Sequence, residues 1–212
     1  MEGDGRESGR RKIRRLVPFF FSCALYFFLW LPADKPSWDS ALAKCLPILC
    51  LALFVHNHAP SGPYGQFICV GLLCSALGDI FRSCPNQFLF GMVAFTLAHL
   101  FYLKALSCFP IRQYLLESVV VIFLLYFGLL KPHLPSRLNL LVLIYIAILG
   151  LMLWQALAQG NPAALGGLFL SISNIVLAWD TFIRPLPSGH LIIMVTYYAA
   201  QALLALSTVQ DC

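Results

Sequence analysis

Apolar runs of about twenty residues, each long enough to cross the roughly 30 Å hydrocarbon layer of a bilayer, recur along the chain between short polar breaks. They predict helices at roughly 16–33, 41–58, 64–83, 87–106, 112–130, 137–157, 164–183 and 188–207. The breaks are built from turn formers, as in Pro60-Ser61-Gly62-Pro63, Cys84-Pro85-Asn86, Gly160-Asn161-Pro162 and Pro185-Leu186-Pro187-Ser188-Gly189. The expected fold is all-α: a polytopic bundle of eight transmembrane helices over 16–207, with a basic tail at 1–15 and a short tail at 208–212.

Composition removes the soluble alternatives. Of the 212 residues 60% are hydrophobic and 11% charged, and the mean hydropathy is +0.81, far too apolar for a soluble domain. The net charge of +5 resides largely in Arg6, Arg10, Arg11, Lys12, Arg14 and Arg15, before the first run. A basic segment abutting a span is a cytoplasmic-side signal and a contact for anionic membrane lipid, not a nucleic-acid arm. With Lys104 and Arg112, eight such cations fall on that side. Five (Lys35, Arg82, Lys131, Arg137 and Arg184) fall opposite, so both termini are expected in the cytoplasm.

Eight cysteines raise the question of disulfides or metal. Cys23, Cys45, Cys50, Cys69 and Cys74 lie within spans, no Cys-x-x-Cys occurs, and Cys84 and Cys108 flank one helix on opposite membrane faces. Reduced, packed thiols and no metal site are expected.

Polar residues at membrane depth are costly, so each is a candidate site residue with a partner to be named. Asp79 ends the small-residue run Gly71-Leu72-Leu73-Cys74-Ser75-Ala76-Leu77-Gly78, with Ser75 one turn earlier on its face and Arg82, a candidate neutralising partner, three residues on. Helices three and seven run the same way, which places Asp79 and Asp180 in one leaflet together with Lys44 at the start of helix two. An interfacial ion pair is the plain alternative. His99 and Tyr102 share a face of helix four. Helix seven carries Ser171, Ser173 and Asn174, and helix eight carries Tyr197 and Gln201 one turn apart. Together these predict a polar cavity, with ordinary interhelical hydrogen bonding as its rival. Gly71, Ser75 and Gly78, and later Gly166, Gly167 and Ser171, are spaced for close helix approach. No nucleophile elbow or phosphate loop appears.

In their order and spacing, several short patterns resemble the YhhN-like lysoplasmalogenases, over nearly the whole chain. They are Lys44-Cys45-Leu46-Pro47, Ser75-Ala76-Leu77-Gly78-Asp79, Gly91 with Phe95, His99 and Tyr102, Ile172-Ser173 through Trp179-Asp180-Thr181-Phe182, and Ile193-Met194 followed by Tyr197-Tyr198-Ala199-Ala200-Gln201. The resemblance implies hydrolysis of the vinyl ether bond of lysoplasmalogens in the endoplasmic reticulum membrane. The products are a fatty aldehyde and glycerophosphocholine or glycerophosphoethanolamine. The implied partners are the lysophospholipid substrate and membrane lipid, without nucleic acid; a homodimer stays open, and no cofactor is needed. Vinyl ethers open by protonation of the alkenyl carbon to an oxocarbenium ion that water attacks. That chemistry suits carboxyl groups, which an apolar cavity keeps protonated at neutral pH.

The resemblance assigns the acid/base work to Asp79 and to the position of Asn174, with Lys44, Ser75, His99, Tyr102, Asp180, Tyr197 and Gln201 binding substrate. It also exposes a departure: the family pattern has Ser-Asp where this chain has Ser173-Asn174, and an amide cannot ionise. Three explanations are open: a replacement at position 174, an impaired member, or Asp180 acting instead. The intact remainder of the pattern favours the first. The rival functions are a non-catalytic lysolipid-binding protein or lipid carrier, and a proton-coupled transporter, which the lack of evident internal repeats disfavours.

Overall fold

The computed structural model describes residues 14–29, 38–60, 62–107 and 113–209. Residues 30–33, expected to end the first helix, lie outside that range, as do most of the basic tail, Lys35, Cys108, Arg112 and residues 210–212.

Backbone N–H and C=O groups in hydrocarbon have no water to turn to, so each apolar run closes its hydrogen bonds within itself as a helix. Among the described residues these are α1 (Val17–Leu29), α2 (Trp38–His58), α3 (Pro63–Ser83), α4 (Phe88–Leu106), α5 (Gln113–Leu130), α6 (Asn139–Gln159), α7 (Ala163–Phe182) and α8 (Gly189–Ser207). Two short 3₁₀ turns, Lys131–His133 and Ser136–Leu138, join α5 to α6. Seven helices, α2 to α8, are long and apolar enough to cross a membrane. The 13 described residues of α1 rise only about 20 Å, short of a full crossing. Pro63 opens α3 where its missing N–H costs nothing. Gly160, at φ 92°, ends α6 in the left-handed region that glycine enters freely.

Adjacency departs from chain order at one place. α2 packs on α3 and α3 on α4, but α4 then packs on α6; α6 meets α7, α7 meets α8, and α8 returns to α2. Six helices thus close a ring, with α1 against α2 and α5 against the outside of α6. α5 buries Val119, Phe123 and Leu130 and leaves Val121, Ile122 and Leu125 exposed, as a lipid-facing helix does.

The small-residue stripes act as notches. A Cβ on Gly71 would collide with the Tyr102 ring, and one on Gly78 would come within 2.8 Å of the Phe95 ring, so α3 receives two aromatic rings from α4. Gly91 brings the backbones themselves together: its Cβ would stand 3.3 Å from the Arg82 nitrogen and 3.4 Å from the Gly78 carbonyl. Gly167 meets Ala156 of α6 and Gly166 meets Leu204 of α8 in the same way. Cys23, Cys45, Cys50, Cys69, Cys74 and Cys84 are free thiols.

Candidate functional site

Near the end of α3, Asp79 is buried inside the ring. Its Oδ2 accepts a 2.9 Å hydrogen bond from the Tyr197 hydroxyl on α8. The Tyr197 ring stands edge-on to Phe95, 6.2 Å between centroids, the same ring that fills the Gly78 notch. On α7, Asn174 donates from Nδ2 to the Leu170 carbonyl at 2.8 Å, and its Oδ1 accepts a hydrogen bond from the Tyr145 hydroxyl of α6. Tyr145 in turn meets the His99 ring edge-on at 5.2 Å.

Asp79, Arg82, Phe95, His99, Asn174, Tyr197 and Gln201 line one small cavity together with Leu170, Ser173, Leu177, Ile193 and Met194. His99 is 2% exposed, and its buried Nδ1 has no hydrogen-bond partner. An unsatisfied buried nitrogen is costly unless a bound molecule pairs with it. A second, apolar space lies between α4, α5, α6 and α7, walled by Phe88, Met92, Phe123, Tyr126, Val142, Tyr145, Leu149 and Phe182. The two spaces share Arg82, Phe95, Asn174 and Leu177, so a polar chamber adjoins one shaped for hydrocarbon.

The other expected site residues fall elsewhere. Ser75 and Tyr102 lie behind the cavity in a closed triangle with Gln201. Tyr102 donates to Gln201 Oε1 at 2.6 Å, Gln201 Nε2 donates to Ser75 Oγ at 3.3 Å, and the Ser75 and Tyr102 hydroxyls are 3.2 Å apart. Every polar atom in that triangle has a partner within the protein, the mark of an interhelical tie. Lys44 Nζ donates to Ser83 Oγ at 3.3 Å, its carbonyl accepts from the Tyr198 hydroxyl at 3.1 Å, and it lines neither space. Asp180 is a loop anchor: its Oδ1 accepts the Leu186 N–H at 2.8 Å, and the bare Gly189 leaves room for that carboxylate, since a Cβ there would lie 2.6 Å from the same oxygen. Asp180 and Lys44 share one end of the bundle with Asp79 but do not join its cavity. Ser173 donates to the Ile193 carbonyl at 2.9 Å and ties α7 to α8.

Tyr145 is the site residue that sequence reasoning missed. The signal was available: a lone phenol in the first half of the otherwise apolar Asn139–Met152 stretch needs a hydrogen-bond partner at that depth. Among the described residues no group of three or more His, Cys, Asp or Glu side chains gathers as metal ligands. The cavity therefore offers one carboxyl group, two carboxamides, one phenol, an imidazole and a guanidinium among apolar walls, with the Tyr145 phenol behind Asn174. That set can move a proton to and from a neutral organic substrate and orient one water.

The YhhN family profile matches residues 40–208. Lysoplasmalogenase TMEM86B of Homo sapiens is 47% identical over 198 residues, 93% of this chain and 88% of the human protein. Lysoplasmalogenase TMEM86B of Sus scrofa is 46% identical over 196 residues, 92% of this chain and 87% of its own length. Lysoplasmalogenase TMEM86A of Bos taurus is 38% identical over 214 residues, 93% of this chain and 89% of that protein. No solved structure matches the chain.

Proposed function

The chain belongs to the YhhN family, and from that premise we infer that it is a lysoplasmalogenase whose reaction takes place in the cavity between Asp79 and Asn174. The observation that carries this reading is that both side chains, from α3 and α7, line one polar cavity beside an apolar pocket. The substrate is a lysophospholipid with a 1-alkenyl chain. Its hydrocarbon lies among Phe88, Met92, Phe123 and Leu149, and its vinyl ether reaches the polar chamber at Asn174 and Phe95.

Protonated Asp79 gives its proton to the alkenyl carbon not bonded to oxygen; the π pair forms the new C–H bond, and the ether oxygen stabilises the oxocarbenium ion. The carboxylate left behind faces that cation and then takes a proton from the attacking water. A hemiacetal forms and the acid is restored. Collapse of the hemiacetal moves its hydroxyl proton to the glycerol oxygen and releases fatty aldehyde and the glycerophospho-base, with one water consumed. Tyr197 holds Asp79 in place through Oδ2. Asn174, fixed by Leu170 and Tyr145, is a neutral group that orients the water. A carboxylate at the same position would add electrostatic stabilisation of the cation, as paired carboxyl groups do at sugar acetals.

The same reading takes the first apolar run as an eighth span, both termini as cytoplasmic, and the endoplasmic reticulum as the membrane. The cluster of basic residues before Val17 supports the orientation. A lysolipid-binding protein without turnover is the second reading, and Asn174 is the feature that favours it.

The test is hydrolysis in deuterium oxide. The protein is expected to release aldehyde carrying one deuterium beside the carbonyl from 1-alkenyl-glycerophosphocholine, and none from the 1-acyl or 1-alkyl lysolipid. Bound substrate with no aldehyde supports the second reading.

A further inference from the structure

Arg82 follows Asp79 by three residues on α3 and is the only lysine or arginine among the described residues lining either the polar cavity or the apolar pocket. Lys44, another cation at this end of the bundle, is turned to Ser83 and lines neither. Gly91 brings the α4 backbone close to that of Arg82, and the half-buried Arg82 side chain lines the polar cavity and the apolar pocket alike.

We propose that Arg82 binds the phosphodiester of the lysophospholipid and so sets the depth at which the vinyl ether meets Asp79. The assignment rests on the lysoplasmalogenase reading for the identity of the ligand. Residues three apart on a helix are neighbours on one face, displaced by about 4.5 Å along the axis. In a lysolipid the ether oxygen and the phosphorus are separated by three glycerol carbons and one oxygen, so one molecule spans both groups with its hydrocarbon pointing away. The guanidinium fork matches two phosphate oxygens at once, a geometry an ammonium lacks. Arg82 is thereby a specificity-determining residue, preferring phosphorylated over uncharged alkenyl glycerol. A charge that merely neutralised Asp79 would have no such preference.

The experiment measures binding of two non-hydrolysable probes, 1-alkyl-glycerophosphocholine and 1-alkylglycerol of equal chain length, to the full chain, and to Arg82→Lys and Arg82→Gln. Free glycerophosphate and inorganic phosphate serve as competitors. Arg82→Gln is expected to raise Kd for the phosphorylated probe by about tenfold or more relative to its effect on the uncharged probe. Arg82→Lys should fall between, because charge survives without the fork. Competition by glycerophosphate but not by equal inorganic phosphate assigns the site to the lipid headgroup; equal competition by both shows a general phosphate site and overturns the headgroup assignment. Equal weakening of both probes in both variants, or no weakening, also overturns it. Because the probes are not hydrolysed, the result is independent of whether aldehyde is released, and preferential loss in Arg82→Lys decides the matter should Arg82→Gln fail to fold.

Discussion

The Tyr197 hydroxyl donates to the Asp79 carboxylate across 118 positions of sequence, and one turn deeper Gln201 reaches Ser75. The pairs step by four residues in opposite directions along α8 and α3, as antiparallel helices require. These two helices share few backbone contacts, so polar side chains fix their register and, with it, the position of the acid.

Tyr197→Phe removes the only polar atom of that phenol and leaves Asp79 Oδ2 without its donor. The expected loss is about 1–3 kcal/mol of stability, together with a rate about tenfold lower, because the acid is less well held. Thermal unfolding in detergent and aldehyde release measure the two effects. An unchanged rate contradicts the positioning role.

Gly78→Ala places a methyl 2.8 Å from the Phe95 ring, and Phe95 walls both the cavity and the apolar pocket. The ring must move, at a cost of about 1–3 kcal/mol, and turnover should fall with stability. Gly128→Ala is the control: nothing stands within 4 Å of its Cβ on the lipid-facing helix α5, so neither measurement should fall.

Asp180 accepts the Leu186 N–H and lines neither space. Asp180→Asn keeps an acceptor at that place and should leave both stability and aldehyde release near those of the unaltered chain. Asp180→Ala should cost about 1 kcal/mol of stability and still leave hydrolysis in place. Loss of hydrolysis in Asp180→Asn with stability intact makes Asp180 the second acid and contradicts the assignment to the α3–α7 cavity.

Much of this was legible in the sequence. Helices α2 to α8 begin and end within three residues of the expected limits, because apolar runs in hydrocarbon must close their own hydrogen bonds. Asp79, His99, Asn174, Tyr197 and Gln201 stood out as polar residues at membrane depth and do line one cavity. The pairing of α4 with α6 was not legible: in a run as uniformly apolar as α5 or α6, nothing marks which face meets which neighbour. Tyr145 was lost with that pairing. The positions of Lys44 and Asp180 also escaped, since each depends on one hydrogen bond made at a helix end, to Ser83 and to the Leu186 N–H. The next turn, from Leu186 into α8, is closed by the Gly189 N–H on the Leu186 carbonyl and passes through Ser188 at φ 62°, a left-handed conformation that a serine does not announce.

Asn174→Asp places a second carboxyl group in the cavity beside the Tyr145 hydroxyl. It is expected to raise aldehyde release by about tenfold or more over the unaltered chain. A fall in release with binding intact shows instead that the amide is the working group at this position.

The central claim is that Asp79 delivers the proton that opens the vinyl ether, and aldehyde release by Asp79→Asn measures it most directly. This variant keeps the size of the side chain and an oxygen for the Tyr197 hydroxyl. The account predicts a rate at least about 10²-fold lower on the 1-alkenyl lysolipid, with binding of the 1-alkyl analogue retained. Release at the rate of the unaltered chain contradicts it.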